Sequence, residues 1–206
     1  MTAISSSEAR KRRSIYPPRE DSFLLLPFAE VARGTSVVEV GAGVGVSSLA
    51  AARCGARVVA TDRNPEALRQ LRAAARAERL DIAVIRTDLA AGLGRFDRVL
   101  ANPPYLPTRP EERDPDRWTN LALDGGPDGC RVLARLIRSL PDHLVPGGHA
   151  YVVGSSLQDE RALAGLRTEW RKLGGDQEVV AERRFEGERL VVWRFRLSGP
   201  ASVGPV

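Results

Sequence analysis

The 206-residue sequence predicts an α/β protein with a doubly wound, mostly parallel seven-stranded sheet that ends in an antiparallel hairpin. Three observations carry this reading. Short runs of β-branched residues alternate with helix-compatible stretches, the pattern of repeated βα units. The first of these runs passes straight into a glycine-rich turn and a helix start. The last two runs are joined by a tight turn, which makes that pair antiparallel. The length suits one domain with a sizeable core, placed at residues 16–197. A flexible basic leader is expected over residues 1–15 and a flexible tail over 198–206, with no internal repeat.

The elements follow in order. Residues 20–33 have helical periodicity and open on Glu20 and Asp21, acids that suit a helix start. Residues 36–40 form the first strand and lead through Gly41, Gly43 and Gly45 into a helix over 46–53. The second strand, 57–61, ends at Asp62. Asn64 then reads as a helix N-cap and Pro65 as the first helical residue of a segment running to about Arg79. Strands at 82–86 and 96–101 follow. An amphipathic helix is predicted over 127–140, a strand over 150–154 and a helix over 158–173, ended by Gly174 and Gly175. Strands at 179–184 and 190–195 flank the turn Glu186-Gly187-Glu188.

Candidate chemistry gathers where strands end. Asn102-Pro103-Pro104-Tyr105 follows the fourth strand. Two prolines fix φ and remove two N–H donors, leaving a rigid turn with free carbonyls and one side-chain amide. A planar NH2 group could donate to the Asn102 side-chain oxygen and the Pro103 carbonyl while the Tyr105 ring stacks on it. A clamp of that kind orients a nitrogen lone pair, and orientation can carry much of a barrier. After the first strand the spacing differs from the dinucleotide G-x-G-x-x-G, because Val46 stands where the third glycine would be. Glu39 lies two residues before Gly41. An acid there suits a ligand with an ammonium group and no pyrophosphate, and glycines at 41 and 43 let the backbone approach it. Asp62 is placed to take ribose hydroxyls. Asp88 and Leu89 are placed to accept from an adenine amine and to cover its ring.

These residues resemble the class I S-adenosylmethionine-dependent methyltransferases, whose fold is Rossmann-like. The run Glu39–Gly45 is similar to their first motif, and Asn-Pro-Pro-Tyr to the motif of members that methylate planar nitrogens. A narrower likeness lies in Tyr16-Pro17-Pro18-Arg19-Glu20-Asp21-Ser22-Phe23-Leu24-Leu25-Leu26. It resembles the opening segment of HemK/PrmC-type release-factor glutamine methyltransferases, most closely their short archaeal and eukaryotic branch. Leu123–Gly129 is similar to the family's GG-x-x-G segment, and the likeness spans about residues 16–155. The resemblance implies methyl transfer from S-adenosylmethionine to the side-chain nitrogen of a glutamine, in the GGQ motif of a release factor. Ser22, Glu39, Gly41, Gly43, Asp62, Asp88, Leu89 and Asn102 would hold the cofactor. Asn102, Pro103 and Tyr105 would grip and flank the substrate amide. The long members carry an N-terminal domain that docks the release factor. Fifteen residues before Tyr16 leave no room for it, and substrate docking is then unexplained by their pattern. The short branch works with a small zinc-binding activator protein and includes lysine methylation.

Two alternatives from the residues themselves stay open. The Asn-Pro-Pro-Tyr motif serves an adenine amine equally well, so an RNA base methyltransferase, or less readily a DNA one, is the second reading. A duplex enzyme must flip its base and read sequence, and no segment here suggests a recognition domain. The third reading is a non-catalytic module that keeps only the fold; the acids at the strand ends argue against it.

Composition bounds partners without choosing one. There are 31 basic and 26 acidic residues, and lysine occurs only at 11 and 172. The arginine-rich surface permits a nucleic-acid neighbour. No apolar run is long enough to cross a membrane and no secretory signal is visible, so a cytoplasmic protein is expected. Cys54, Cys130, His143 and His149 show no metal spacing, no metal is predicted, and both thiols read as small buried groups. Two segments point to partners. Residues 106–120, with three prolines and Trp118, should border the substrate entrance. Strand 81–86 is apolar on both faces and would lie at the sheet edge, which is hazardous for an exposed strand; it is expected to pair with the activator or with itself in a dimer.

Overall fold

The computed structural model describes residues 15–197. The leader, apart from Ile15, and the tail lie outside the described residues. Seven strands form one sheet: β1 (Ser36–Val40), β2 (Arg57–Asp62), β3 (Ile82–Arg86), β4 (Phe96–Ala101), β5 (Leu144–Ser155), β6 (Gly175–Phe185) and β7 (Glu188–Leu197). Their order is β3-β2-β1-β4-β5-β7-β6. The first five run parallel, and β7 lies antiparallel between β5 and β6. The order reverses between β1 and β4, so the carboxyl ends of these strands open a crevice. Strand β3 is one edge of the sheet, with Ile85 exposed.

Among the described residues seven α-helices accompany the sheet: α1 (Glu20–Leu24), α2 (Leu26–Ala29), α3 (Val46–Arg53), α4 (Pro65–Ala77), α5 (Arg117–Leu123), α6 (Arg131–His143) and α7 (Glu160–Lys172). Alternation along a strand sends neighbours to opposite faces, and β1 shows it. Val38 and Val40 pack with Leu133, Leu136, Ile137 and Leu140 of α6 and Leu163, Leu166 and Trp170 of α7. Val37 packs on the other face with Leu25, Ala29 and Ala51. Each fully buried Leu or Val contributes about 1.5–3 kcal/mol, and these two layers fix the rigid platform behind the crevice. Trp170 meets Phe195 edge-on at 5.6 Å, and its indole N–H donates to the Asp176 carbonyl at 2.7 Å.

Most expected elements are present, with three shifts. The helix expected over 20–33 is two short helices that end at Ala29. Pro27 offers no N–H to the carbonyl four residues back and its ring crowds it. Helix α6 starts at Arg131, four residues later than expected, because Gly126 and Gly129 take left-handed φ of 90° and 72°. Strand β5 begins at Leu144 and absorbs Pro146, Gly147 and Gly148 in a bulge against β4. The start signal at α4 acts as read: the Asn64 side chain accepts from Glu66 N at 3.0 Å with Pro65 at the first helical position.

Candidate active site

A cavity of about 610 Å³ occupies the crevice, walled by the carboxyl ends of β1, β2 and β4 and roofed by the segment around α1. Every residue singled out from the sequence borders it: Ser22, Glu39, Gly41, Gly43, Asp62, Asp88, Leu89, Asn102, Pro103 and Tyr105. All but Ser22, which α1 brings in from the roof, follow or end a strand, and the parallel register sets those ends side by side.

The floor is the loop after β1. Gly41 and Gly43 have φ of 69° and 56°, and a Cβ at either would meet no protein atom within 4 Å. The glycines therefore keep a cradle clear for a ligand as well as supplying the turn. Glu39 is 7% exposed and accepts from Ser48 N at 2.8 Å and Ser48 Oγ at 2.5 Å. The carboxylate thus holds the first turn of α3, where backbone N–H groups lack helical partners. Burial pushes its pKa up, against the Ser48 and Ser47 hydrogen bonds. Asp62 accepts from Gly43 N at 2.9 Å through one oxygen and from Asn64 N at 2.7 Å through the other. A carboxylate has about four lone-pair sites, so capacity remains for hydroxyl donors. Burial raises its pKa too, ahead of the opposing backbone bonds. Thr61 Oγ1 donates to the Leu89 carbonyl at 2.7 Å and ties Leu89, held at a positive φ of 53°, to β2. Asp88 is half-buried and ion-paired to Arg135 at 2.7 Å.

At the other end lies the proline turn. The Asn102 Oδ1 atom is buried and has no hydrogen-bond partner in the protein. A buried acceptor left unpaired costs about 1–3 kcal/mol, so its place on the cavity wall marks it for a ligand donor. Behind the turn, Leu106 N donates to the Leu123 carbonyl at 3.1 Å and Gly125 N to the Leu106 carbonyl at 2.9 Å. A Cβ at Gly129 would collide with the Tyr105 carbonyl. The glycine segment 125–129 is thereby a buttress pressed onto the Asn-Pro-Pro-Tyr turn. Asp124 locks it: burial works against its charge, but the Gly126 N–H and the guanidiniums of Arg131 and Arg113, each at 3.0 Å, outweigh that and hold its carboxyl below the usual range.

Sequence reading missed two contributors. Asp21 is 5% exposed, and its Oδ2 accepts from Tyr105 Oη at 3.2 Å. Glu188, in the C-terminal hairpin, also borders the cavity and accepts from Ser155 Oγ at 2.6 Å. No local signal announces either one, since the partners are far apart in sequence. Burial, then the charges of Asp21 and Glu188, raise the Tyr105 pKa, so its hydroxyl stays a donor. The segment 106–120, expected at the substrate entrance, does reach the cavity through Trp118 and Thr119, but its end is helical, α5, where a loop was expected. One expectation is corrected. Cys54 is exposed because it caps the C-terminus of α3 at the surface, whereas Cys130 is buried and its thiol pushed up to about 12 by burial. His143 and His149 do not border the cavity.

The match to a known family model, the Methyltransferase small domain, covers residues 20–114. Across 197 residues the chain is 37% identical to a Methanocaldococcus jannaschii chain named as a protein N5-glutamine methyltransferase, covering 93% of this chain and 98% of that one. The chain belongs to the HemK/PrmC family of protein glutamine methyltransferases. It is 38% identical to the release factor glutamine methyltransferase of Deinococcus radiodurans over 194 residues, covering 85% and 68% of the two chains. It is 39% identical to the Methyltransferase HEMK2 of Mus musculus over 154 residues, covering 68% and 72%. Among solved structures, the Mtq2–Trm112 complex of E. cuniculi, responsible for methylation of the eRF1 translation termination factor, superposes with a TM-score of 0.69. That match is 23% identical and covers 90% of this chain and 99% of that one, a likeness of fold. The protein is therefore an S-adenosylmethionine-dependent methyltransferase of class I fold. Its residues fit that cofactor: an open glycine cradle follows β1, with the buried Glu39 and the half-buried Asp62 beside it to face a cationic ligand that carries hydroxyls.

Proposed function

We propose that this enzyme methylates the side-chain amide nitrogen of a glutamine, in the GGQ loop of a peptide chain release factor. The observation that carries the reading is Asn102 Oδ1, a buried, unpartnered acceptor on the wall of the cavity. A glutamine carboxamide presents a planar NH2 of matching geometry. In this reading Asn102 Oδ1 accepts one amide hydrogen and the Pro103 carbonyl the other, while Tyr105 flanks the plane. Ser22, Glu39, Gly41, Gly43, Asp62, Asp88 and Leu89 hold the cofactor, which when bound supplies a methyl group on a sulfonium. Glu39 acts there partly by fixing α3 and the glycine cradle. The chain's own contribution is to orient the amide nitrogen and keep water from the line of transfer. The relatives are protein methyltransferases and do not favour the base-amine alternative.

The exposed edge β3 supports a partner as well. Ile85 is exposed, and no strand among the described residues pairs with the outer side of β3. We propose that a small zinc-binding activator adds to this edge, self-pairing being the other outcome. No helix among the described residues is long and apolar enough to cross a membrane, and a cytoplasmic location fits a release-factor substrate.

The test is transfer of labelled methyl from S-adenosylmethionine to a release factor, its Gln→Ala variant and total RNA, with and without a candidate activator, located by mass spectrometry. Label on the GGQ glutamine alone is expected. Label on RNA in place of protein would overturn the assignment.

A further inference from the structure

Asp21 belongs to the Tyr105 end of the cavity, and no role above accounts for it. It lies in the first turn of α1, 5% exposed. Its two oxygens are divided. One accepts from its neighbour Ser22, N at 2.7 Å and Oγ at 3.3 Å; the other accepts from Tyr105 Oη at 3.2 Å, across 84 positions of sequence. The first contact is ordinary support for a helix start. The second is not needed for that, and it places a buried carboxylate with no ion-pair partner among the described residues beside the aromatic ring that ends the proline turn. Burying a charge is costly unless bonds hold it, so the arrangement calls for a function at this spot.

We propose that Asp21 is the positioning residue for the transfer step, acting through Tyr105. The ring of Tyr105 can turn about its side-chain torsions, and the proline turn fixes only its backbone. Packing limits the ring, and the Asp21 bond fixes where its hydroxyl points. A bond to a charged acceptor is about twice as strong as a neutral one. With that bond made, the ring face stands flush with the acceptor amide that Asn102 holds. It also docks the segment around α1, which roofs the cavity, onto the amide clamp. This inference rests on the glutamine-amide reading, since the ring is useful there as a flat wall for a planar group.

The test is a double-mutant cycle in methyl transfer to the release factor. Asp21→Asn keeps the size but presents one acceptor oxygen in place of two, so Ser22 and Tyr105 compete for it. Tyr105→Phe keeps the ring and removes the donor. Each single variant is expected to lower kcat by about tenfold, with cofactor Kd, measured by calorimetry, within about twofold of wild type. The double variant should be no slower than the slower single one. If the two losses multiply, Asp21 does not act through Tyr105 and the proposal fails. A raised cofactor Kd with kcat unchanged would also overturn it and make Asp21 part of the cofactor site. If Asp21→Asn does not fold, Asp21→Ser, which keeps an oxygen for the helix start but cannot reach Tyr105, enters the same cycle. A wild-type enzyme that leaves the release factor unlabelled would count against the glutamine reading; an active wild type with a multiplicative cycle would count against Asp21 alone.

Discussion

At the scale of single residues, the site separates two tasks by position. In the proposed reading Asn102 serves the acceptor and Asp62 the cofactor, and both border the same cavity. Asn102→Ala removes the unpartnered oxygen, so kcat should fall by at least about 100-fold while cofactor Kd stays near wild type, as checked by single-turnover transfer and calorimetry. Asp62→Ala should instead weaken cofactor binding by about tenfold or more, since it removes a carboxylate that also braces Gly43. An unchanged dissociation constant would remove that assignment. The acids also set a pH dependence. Burial raises the pKa of Glu39 and of Asp62. For an acid so shifted the folded state is the better proton binder, so this contribution to stability is present below the unfolded pKa and is lost as pH rises through the folded one. A cationic ligand favours the ionised forms. Cofactor affinity should therefore fall as pH drops into the raised range of these carboxyls, and binding near it should release protons. Calorimetry in buffers of different ionisation enthalpy checks the release. Of these residues, Glu39, Asp62 and Asn102 are legible in sequence because a local pattern, strand then turn, marks each. Asp21 and Glu188 are not legible as site residues, since their partners at Tyr105 and Ser155 are set by packing across the fold.

At the scale of elements, the prolines stiffen the turn and the segment 125–129 pressed on it holds it in place. A Cβ at Gly129 would meet the Tyr105 carbonyl, and its φ of 72° disfavours other residues. Gly129→Ala should destabilise the fold by about 1–3 kcal/mol and lower kcat more than it changes cofactor Kd; thermal unfolding and transfer rates together measure this. The edge strand makes the opposite kind of prediction. Ile85 contributes little to the isolated chain because it is exposed. Ile85→Lys should leave Tm within about 2 °C while abolishing capture of an activator or self-association, read by analytical ultracentrifugation. The element reading from sequence was sound where periodicity and caps agree, as at α4. It ran long at α1 and early at α6, because Pro27 and the left-handed glycines at 126 and 129 override periodicity.

At the scale of the whole molecule, two apolar layers pin the sheet, and the site is what the sheet's carboxyl edge leaves open. Trp170 is fully buried and does not line the cavity. Trp170→Ala should cost about 3–5 kcal/mol of stability but leave kcat of the folded fraction unchanged, which chemical denaturation and activity would show. The alternation of β-branched and helical segments, the glycine turn after β1 and the Asn-Pro-Pro-Tyr turn were determined by the sequence alone, because each depends on neighbours within a few residues. That the four strand ends share one cavity was decided by the parallel register and by the reversal of strand order between β1 and β4. The tertiary structure alone brought Asp21, Tyr105 and Glu188 together from three distant segments. Contacts of that kind arise only once burial has paid the entropy of closing long loops, and no local pattern encodes them.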